Sequence, residues 1–176
     1  MVISYAAKDL KPVLMKGAKA EVKTPYYLIE DNGQAIFTIT PGKNGFEFNK
    51  NLGYFSSFPG MQTHQCLYGH GIFIIQQNDL SGEAKEFKVV RLNPGRQLFV
   101  PAGLVMCCVN TGNSYLVVVR NSSLDKKYIN SKTILKKHSF AYYVIAKKGD
   151  IGFEQNPNYL VFPQITMDSV FVFMTT

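Results

Sequence analysis

Apolar and polar positions along the chain alternate with the period of strands. Pro25-Tyr26-Tyr27-Leu28-Ile29 and Ala35-Ile36-Phe37-Thr38-Ile39 flank Asp31-Asn32-Gly33, a turn signal, and predict a hairpin. Leu67–Gln76 reads as one apolar strand entered through Gly69 and Gly71. Further strands are predicted at Phe87–Leu92, Gln97–Val100, Met106–Asn110, Tyr115–Val119, Phe140–Ala146, Gly152–Glu154 and Val170–Met174. Between them stand Asn78–Ala84, Asn93-Pro94-Gly95, Pro101-Ala102-Gly103 and Thr111-Gly112-Asn113, turn signals recurring about every 8–12 residues. Helical periodicity is weak, with a short helix within Asp125–Lys137 and a turn or two in residues 7–19. The pattern predicts one all-β domain over residues 1–176, a jelly-roll β-barrel without internal linker.

Composition narrows this picture. The chain of 176 residues is 46 % hydrophobic, 13 % aromatic and 18 % charged, which excludes disordered, collagenous and disulfide-scaffold classes. No apolar run approaches the roughly 20 residues of a membrane span. The N-terminal Met1–Val13 lacks a basic start followed by an apolar core, so no secretory signal is expected. Three cysteines, two of them adjacent (Cys107, Cys108), read as reduced thiols, and a cytoplasmic protein is expected. The net charge of +7 comes from Lys far more than Arg, and dispersed Lys poorly supports base readout. Nucleic acid is therefore not expected as a partner. Only three histidines (His64, His70, His138) are present, so an imidazole-based metal site has few residues to draw on.

One stretch carries a recognisable spacing. Gly95, Pro101, Gly103, Met106 and Asn110 follow G-x5-P-x-G-x2-H-x3-N, the second cupin motif, with Met106 in place of its His. The glycines and proline bend the chain, the side chain three past Gly103 points inward, and Asn110 caps the next turn. Pro41-Gly42-Lys43-x-Gly45-x-Glu47-Phe48, Gly53-x-Phe55, Gly69-x-Gly71, Gly82-Glu83-Ala84, Val109-Asn110-Thr111-Gly112 and Asn156-Pro157-x-Tyr159 occur in order. Over residues 15–160 the chain resembles the cupin-type glucose-6-phosphate isomerases of archaea, with residues 161–176 an added C-terminal strand. The resemblance implies a homodimeric jelly roll that binds a sugar phosphate inside the barrel. It also implies a divalent metal on the sugar oxygens and a base that moves a proton between C1 and C2.

At the positions the resemblance assigns to that metal, this chain departs. The family's His-x-His falls on Tyr54-Phe55-Ser56, its Glu on Gln62 and its last His on Met106. Hydroxyls, an amide and a thioether hold a hard cation poorly, and an amide takes up no proton near pH 7. The family's phosphate site falls on Phe37 and Asn51, and its later tyrosine, histidine and tyrosine on Arg120, Lys126 and Tyr128. Arg120 and Lys126 are either ligands for a phosphate or carboxylate or surface residues at a strand exit.

Alternation places His64 and Cys66 on the same face as Gln62, and Cys108 on that of Met106. Two readings follow for the set His64, Cys66, Met106 and Cys108. It is either a soft site for Cu(I) or Zn(II), or a plugged core completed by Phe37, Phe55 and Phe58. Cys66 beside His64 is also a candidate activated thiol, and His70 reaches inward only through a bulge. The expected function is a metal-free binding protein for a sugar phosphate or small anion, using Asn51, Gln62, His64, Arg120, Lys126 and Tyr128, or a structural homodimer. The alternative is an isomerase with a changed base, His64 or Tyr128.

Overall fold

The first hairpin forms where the alternation places it. Strands β2 (Tyr26–Asp31) and β3 (Gln34–Ile39) pair antiparallel. Asn32 and Gly33 both take positive φ, the turn that matches strand twist. In this computed structural model, residues 1–57, 59–122 and 132–168 are described.

Two sheets face one another. The first has β1 (Val2–Tyr5), β2, β3, β12 (Leu116–Arg120), β7 (Gln62–Tyr68) and β10 (Gln97–Val100), in that spatial order. The second runs β15 (Ile165–Met167), β9 (Ala84–Leu92), β8 (Gly71–Asn78), β11 (Val105–Asn110) and β6 (Tyr54–Phe55). A smaller sheet holds β14 (Asp150–Gln155), β13 (Tyr142–Lys147), β5 (Glu47–Phe48) and β4 (Lys43–Asn44). Helix α1 (Ala7–Leu10), a 3-10 turn (Lys11–Val13) and α2 (Lys132–Lys136) complete the described elements. The all-β jelly-roll expectation holds, with one refinement: among the described residues the two large sheets share no strand pairing and do not close into a continuous barrel.

One core lies between the facing sheets and includes Phe37, Cys66, Phe73, Met106, Cys108 and Val118. A second lies on the other side of the five-stranded sheet, with Leu10, Val13, Ile74, Phe87, Cys107 and Ile134. β8 and β11 therefore bury both faces. This explains their nearly continuous apolar runs, which simple alternation misses.

The structure divides the expected Leu67–Gln76 strand. Leu67 and Tyr68 end β7, and the chain reverses at Gly69-His70 into β8. Gly69 has φ +81°, and a Cβ there would lie 2.1 Å from the Tyr115 carbonyl oxygen. This close approach requires glycine. Phe55 also departs from expectation, because it packs on the second core instead of filling the interior. Phe58 and the Val170–Met174 strand lie outside the described residues. β15, which pairs parallel with β9, was not anticipated.

Candidate functional site

Tyr54, Ser56, Gln62 and Met106, the positions the resemblance assigns to metal ligands, lie on or beside strands that the fold brings together. Tyr54 on β6 pairs with Met106 on β11. Just past β6, the Ser56 hydroxyl accepts a hydrogen bond from the Gln62 amide at the start of β7. On β7 and β12 a bulge between Val117 and Val118 shifts the register, so that Val118 faces Cys66 and Arg120 faces His64. The bulge keeps the inward residues of both strands opposite one another.

Arg120 is the centre of the arrangement. It is 0 % exposed, so its expected alternative place on the surface is corrected. A residue that ends a strand in sequence lies here under its neighbours. Its Nε donates to Ser122 Oγ at 2.9 Å and an NH2 group to Ser56 Oγ at 3.4 Å. The guanidinium carbon stands 5.2 Å from the Tyr54 ring centroid, within cation–π range. NH1 has no hydrogen-bond partner, and no carboxylate pairs with Arg120 among the described residues. Burial lowers its pKa, and Tyr54 opposes that shift.

His64 is also 0 % exposed. Its Nε2 lies 2.7 Å from the Tyr54 hydroxyl, and its Nδ1 has no partner. Burial, followed by the Arg120 charge, pushes its pKa down to about 3, so it is neutral at pH 7. Burial raises the Tyr54 hydroxyl well above its usual value. Gln62 Oε1 is a buried acceptor without a partner. Among the described residues the site thus collects a cation, several donors and one free amide oxygen, and neither His64 nor Tyr54 changes charge near pH 7.

These residues do not fit a divalent metal. Tyr54 keeps its proton, the Ser56 oxygen already serves Gln62 and Arg120, and the guanidinium repels a second cation. The soft set does not converge either. Among the described residues no group of three or more His, Cys, Asp or Glu side chains could hold a metal. Cys66, Met106 and Cys108 sit within the aliphatic and aromatic core. Cys66 directs its thiol to the Tyr68 and Gly69 carbonyls, and burial raises its pKa, so His64 does not activate it. His70 stays at the surface, with Nδ1 2.9 Å from Asn93 Oδ1.

Of the residues expected to bind a ligand, Gln62, His64 and Arg120 share one cluster. Asn51 does not join their hydrogen bonds. Its Oδ1 accepts from the Cys108 backbone N–H at 3.1 Å, and its own backbone N–H donates to the Cys108 carbonyl. Lys126 and Tyr128 lie outside the described residues. Sequence reasoning did not select Ser122, although its position two residues beyond Arg120 is the same-face signal that could have found it. Asn110 behaves as expected: its side chain donates to Ile39 and Ser114 carbonyls and accepts from Gly112.

Comparison with known proteins agrees with the motif order. The profile of the family described as glucose-6-phosphate isomerase (GPI) matches residues 19–161. No curated protein sequence matches the chain. Among solved structures, the Drosophila melanogaster CENP-C cupin domain is similar at 12 % identity and TM-score 0.42, over 69 % of this chain and 75 % of that one. Peruvianin-I, a cysteine peptidase from Thevetia peruviana latex, is similar at 18 % identity and TM-score 0.40, over 51 % of each chain. An oxalate oxidase is similar at 17 % identity and TM-score 0.39, over 69 % of this chain and 50 % of that one. The matched region thus spans about half the length of the last two.

Proposed function

We propose, for a chain that belongs to the glucose-6-phosphate isomerase (GPI) family, a metal-independent role: it binds a small anion, a sugar phosphate first, between its two sheets and does not isomerise it. One observation carries the reading. Arg120 is a fully buried cation with no carboxylate partner among the described residues and an unpartnered NH1. An unpaired buried charge costs several kcal/mol, and an anion seated on it removes that cost. Ser122 and Ser56 orient the guanidinium, and the Tyr54–His64 pair adds polar groups beside it. Isomerisation needs a base, and the low pKa of His64 and the amide of Gln62 both weigh against one here.

Two measurements test this. A coupled assay with fructose 6-phosphate should give no turnover, either with chelator or with added Mn, Fe, Ni or Zn. Turnover abolished by the chelator would overturn the metal-independent reading, and turnover that resists it would restore the isomerase alternative with His64 or Tyr128 as base. In thermal shift, a sugar phosphate at 100 times its dissociation constant should add about 2.7 kcal/mol, or roughly 5–11 °C for a chain of this size. Arg120→Met should abolish that gain while remaining folded, because it replaces an unpaired buried charge with an apolar side chain.

A second reading, a structural homodimer, has its own observation. The outward side of the six-stranded sheet presents Ile29, Ile36, Val119 and Gln65 in one row and Tyr27, Thr38 and Val117 in the next. None is charged, although outward faces of such sheets are usually polar. Two copies carrying +7 each repel over most of their surfaces and meet at least cost on this face. Light scattering should give twice the chain mass, and Val119→Lys should give a monomer. A monomeric wild type, or a dimer indifferent to the lysine, overturns this interface.

A further inference from the structure

Outside the two cores lies an open cleft of about 450 Å³, a volume typical of small-ligand sites. Its walls are the β8–β9 turn and α2, and Phe55 and Val105 line it from the five-stranded sheet. It stands on the outer side of that sheet, and Arg120 belongs to the inner side. We infer that this cleft is a second binding site, for a phosphate monoester with a compact apolar group.

The charge argument comes first. Among the described residues Lys132, Lys136 and Lys137 line the cleft, against one carboxylate, that of Asp79. That carboxylate is used by its own turn: Oδ1 accepts from the Ser81 amide at 2.8 Å, the Ser81 hydroxyl at 2.6 Å and the Glu83 amide at 3.0 Å. Lys137 is used as well, paired with Glu83 and donating to the Asn158 carbonyl at 2.9 Å. Lys136 is exposed and has no acceptor among the described residues. Lys136 is therefore the cation of this wall that an outside anion would meet.

An independent observation points to the same place. Asn78 lines the cleft, and its Nδ2 is buried without an acceptor. Its orientation is fixed by a relay. The Ala141 amide donates to Gln76 Oε1 at 2.8 Å, so Gln76 Nε2 must face outward, where it donates to Asn78 Oδ1 at 2.7 Å. Flipping the Asn78 amide would set two NH2 groups against each other, so its donor stays free for a ligand oxygen. A buried donor without an acceptor costs about 1–3 kcal/mol, and a phosphate oxygen removes that cost.

The apolar part of the ligand follows from the other wall. Phe55 is half-buried, and Leu80, fully exposed, stands at the rim. An aryl or short alkyl group would cover both, while its phosphate reaches Lys136 and Asn78.

Calorimetric titration of the full chain with phenyl phosphate tests this, with inorganic phosphate and phenol as the separate halves. Phenyl phosphate should bind at least about ten-fold tighter than either half, as a charged hydrogen bond plus apolar contact predicts. Added salt should weaken it, because Lys136 is exposed. Lys136→Glu and Asn78→Asp should each lower the affinity by about ten-fold or more, and Lys148→Glu, exposed on the β13–β14 turn away from the cleft, should leave it unchanged. No binding at millimolar phenyl phosphate, or an affinity indifferent to both cleft substitutions, overturns the site. Loss of binding in Arg120→Met moves the ligand to the interior and overturns it too.

Discussion

Lys50→Met should destabilise the protein by about 3–5 kcal/mol in chemical denaturation, the usual cost of leaving one member of a buried ion pair alone. Lys50 Nζ lies 2.6 Å from Glu47 Oε1, with both side chains almost wholly buried. Lys50 also donates to the Val13 carbonyl at 2.8 Å and to Ser139 Oγ at 2.9 Å. Glu47 Oε2 accepts from the Met15 amide at 2.7 Å. The pair thus joins the N-terminal segment, the β5 region and the entry to β13. Glu47→Gln, which keeps the Met15 bond, should be costly for the same reason. The double substitution should cost clearly less than the sum of the two, because it leaves no lone charge; a coupling of about 0.5–3 kcal/mol is the expected range. Strict additivity would show that the charges do not depend on each other.

Acidification should weaken the fold earlier than carboxylates alone would allow. His64 has a folded pKa of about 3 against an ordinary value of 6.5. Below about pH 6.5 the unfolded chain takes up a proton that the folded chain refuses. The contribution is therefore fully present above pH 6.5 and is lost as pH falls toward 3, at about 1.4 kcal/mol per pH unit and to a limit of about 5 kcal/mol. Asp79 and Glu83 also have lowered pKa values, but their stabilisation is lost only at more acid pH, below the ordinary carboxylate range. The interval from about pH 6.5 to 4.5 thus belongs to His64. His64→Gln, which can still meet the Tyr54 hydroxyl, should flatten the stability curve there. An unchanged slope would mean that His64 is already protonated in the fold.

Both predictions depend on groups whose importance a linear reading underrates. Glu47 is visible as part of an ordered motif, but Lys50 is only one lysine among many until the chain folds over it. His64 was correctly placed on the inward face by strand period. The sequence leaves its surroundings open between a soft site with Cys66, Met106 and Cys108 and a packed core, and the structure gives it Tyr54, ten residues earlier on a different strand. Local spacing specifies which way a side chain points, not which strand lies opposite. The division at Gly69-His70 was missed for a related reason: both flanks are apolar, and only the close approach of Tyr115 shows that the glycines mark a reversal.

By itself the sequence determined the all-β class, most strand positions and the cupin spacing. Those properties follow from period, turn chemistry and residue type, which are local. Only the tertiary structure decided the burial and pairing of the inward residues. It turned Arg120 from a strand-end cation into a fully buried one, set it opposite His64 through a bulge, and left its NH1 without a partner. Burial and pairing depend on which distant strands become neighbours, and electrostatic consequences follow from burial. That is why a charge that the sequence leaves open between ligand and surface residue becomes, in the fold, the buried feature on which the proposed ligand rests.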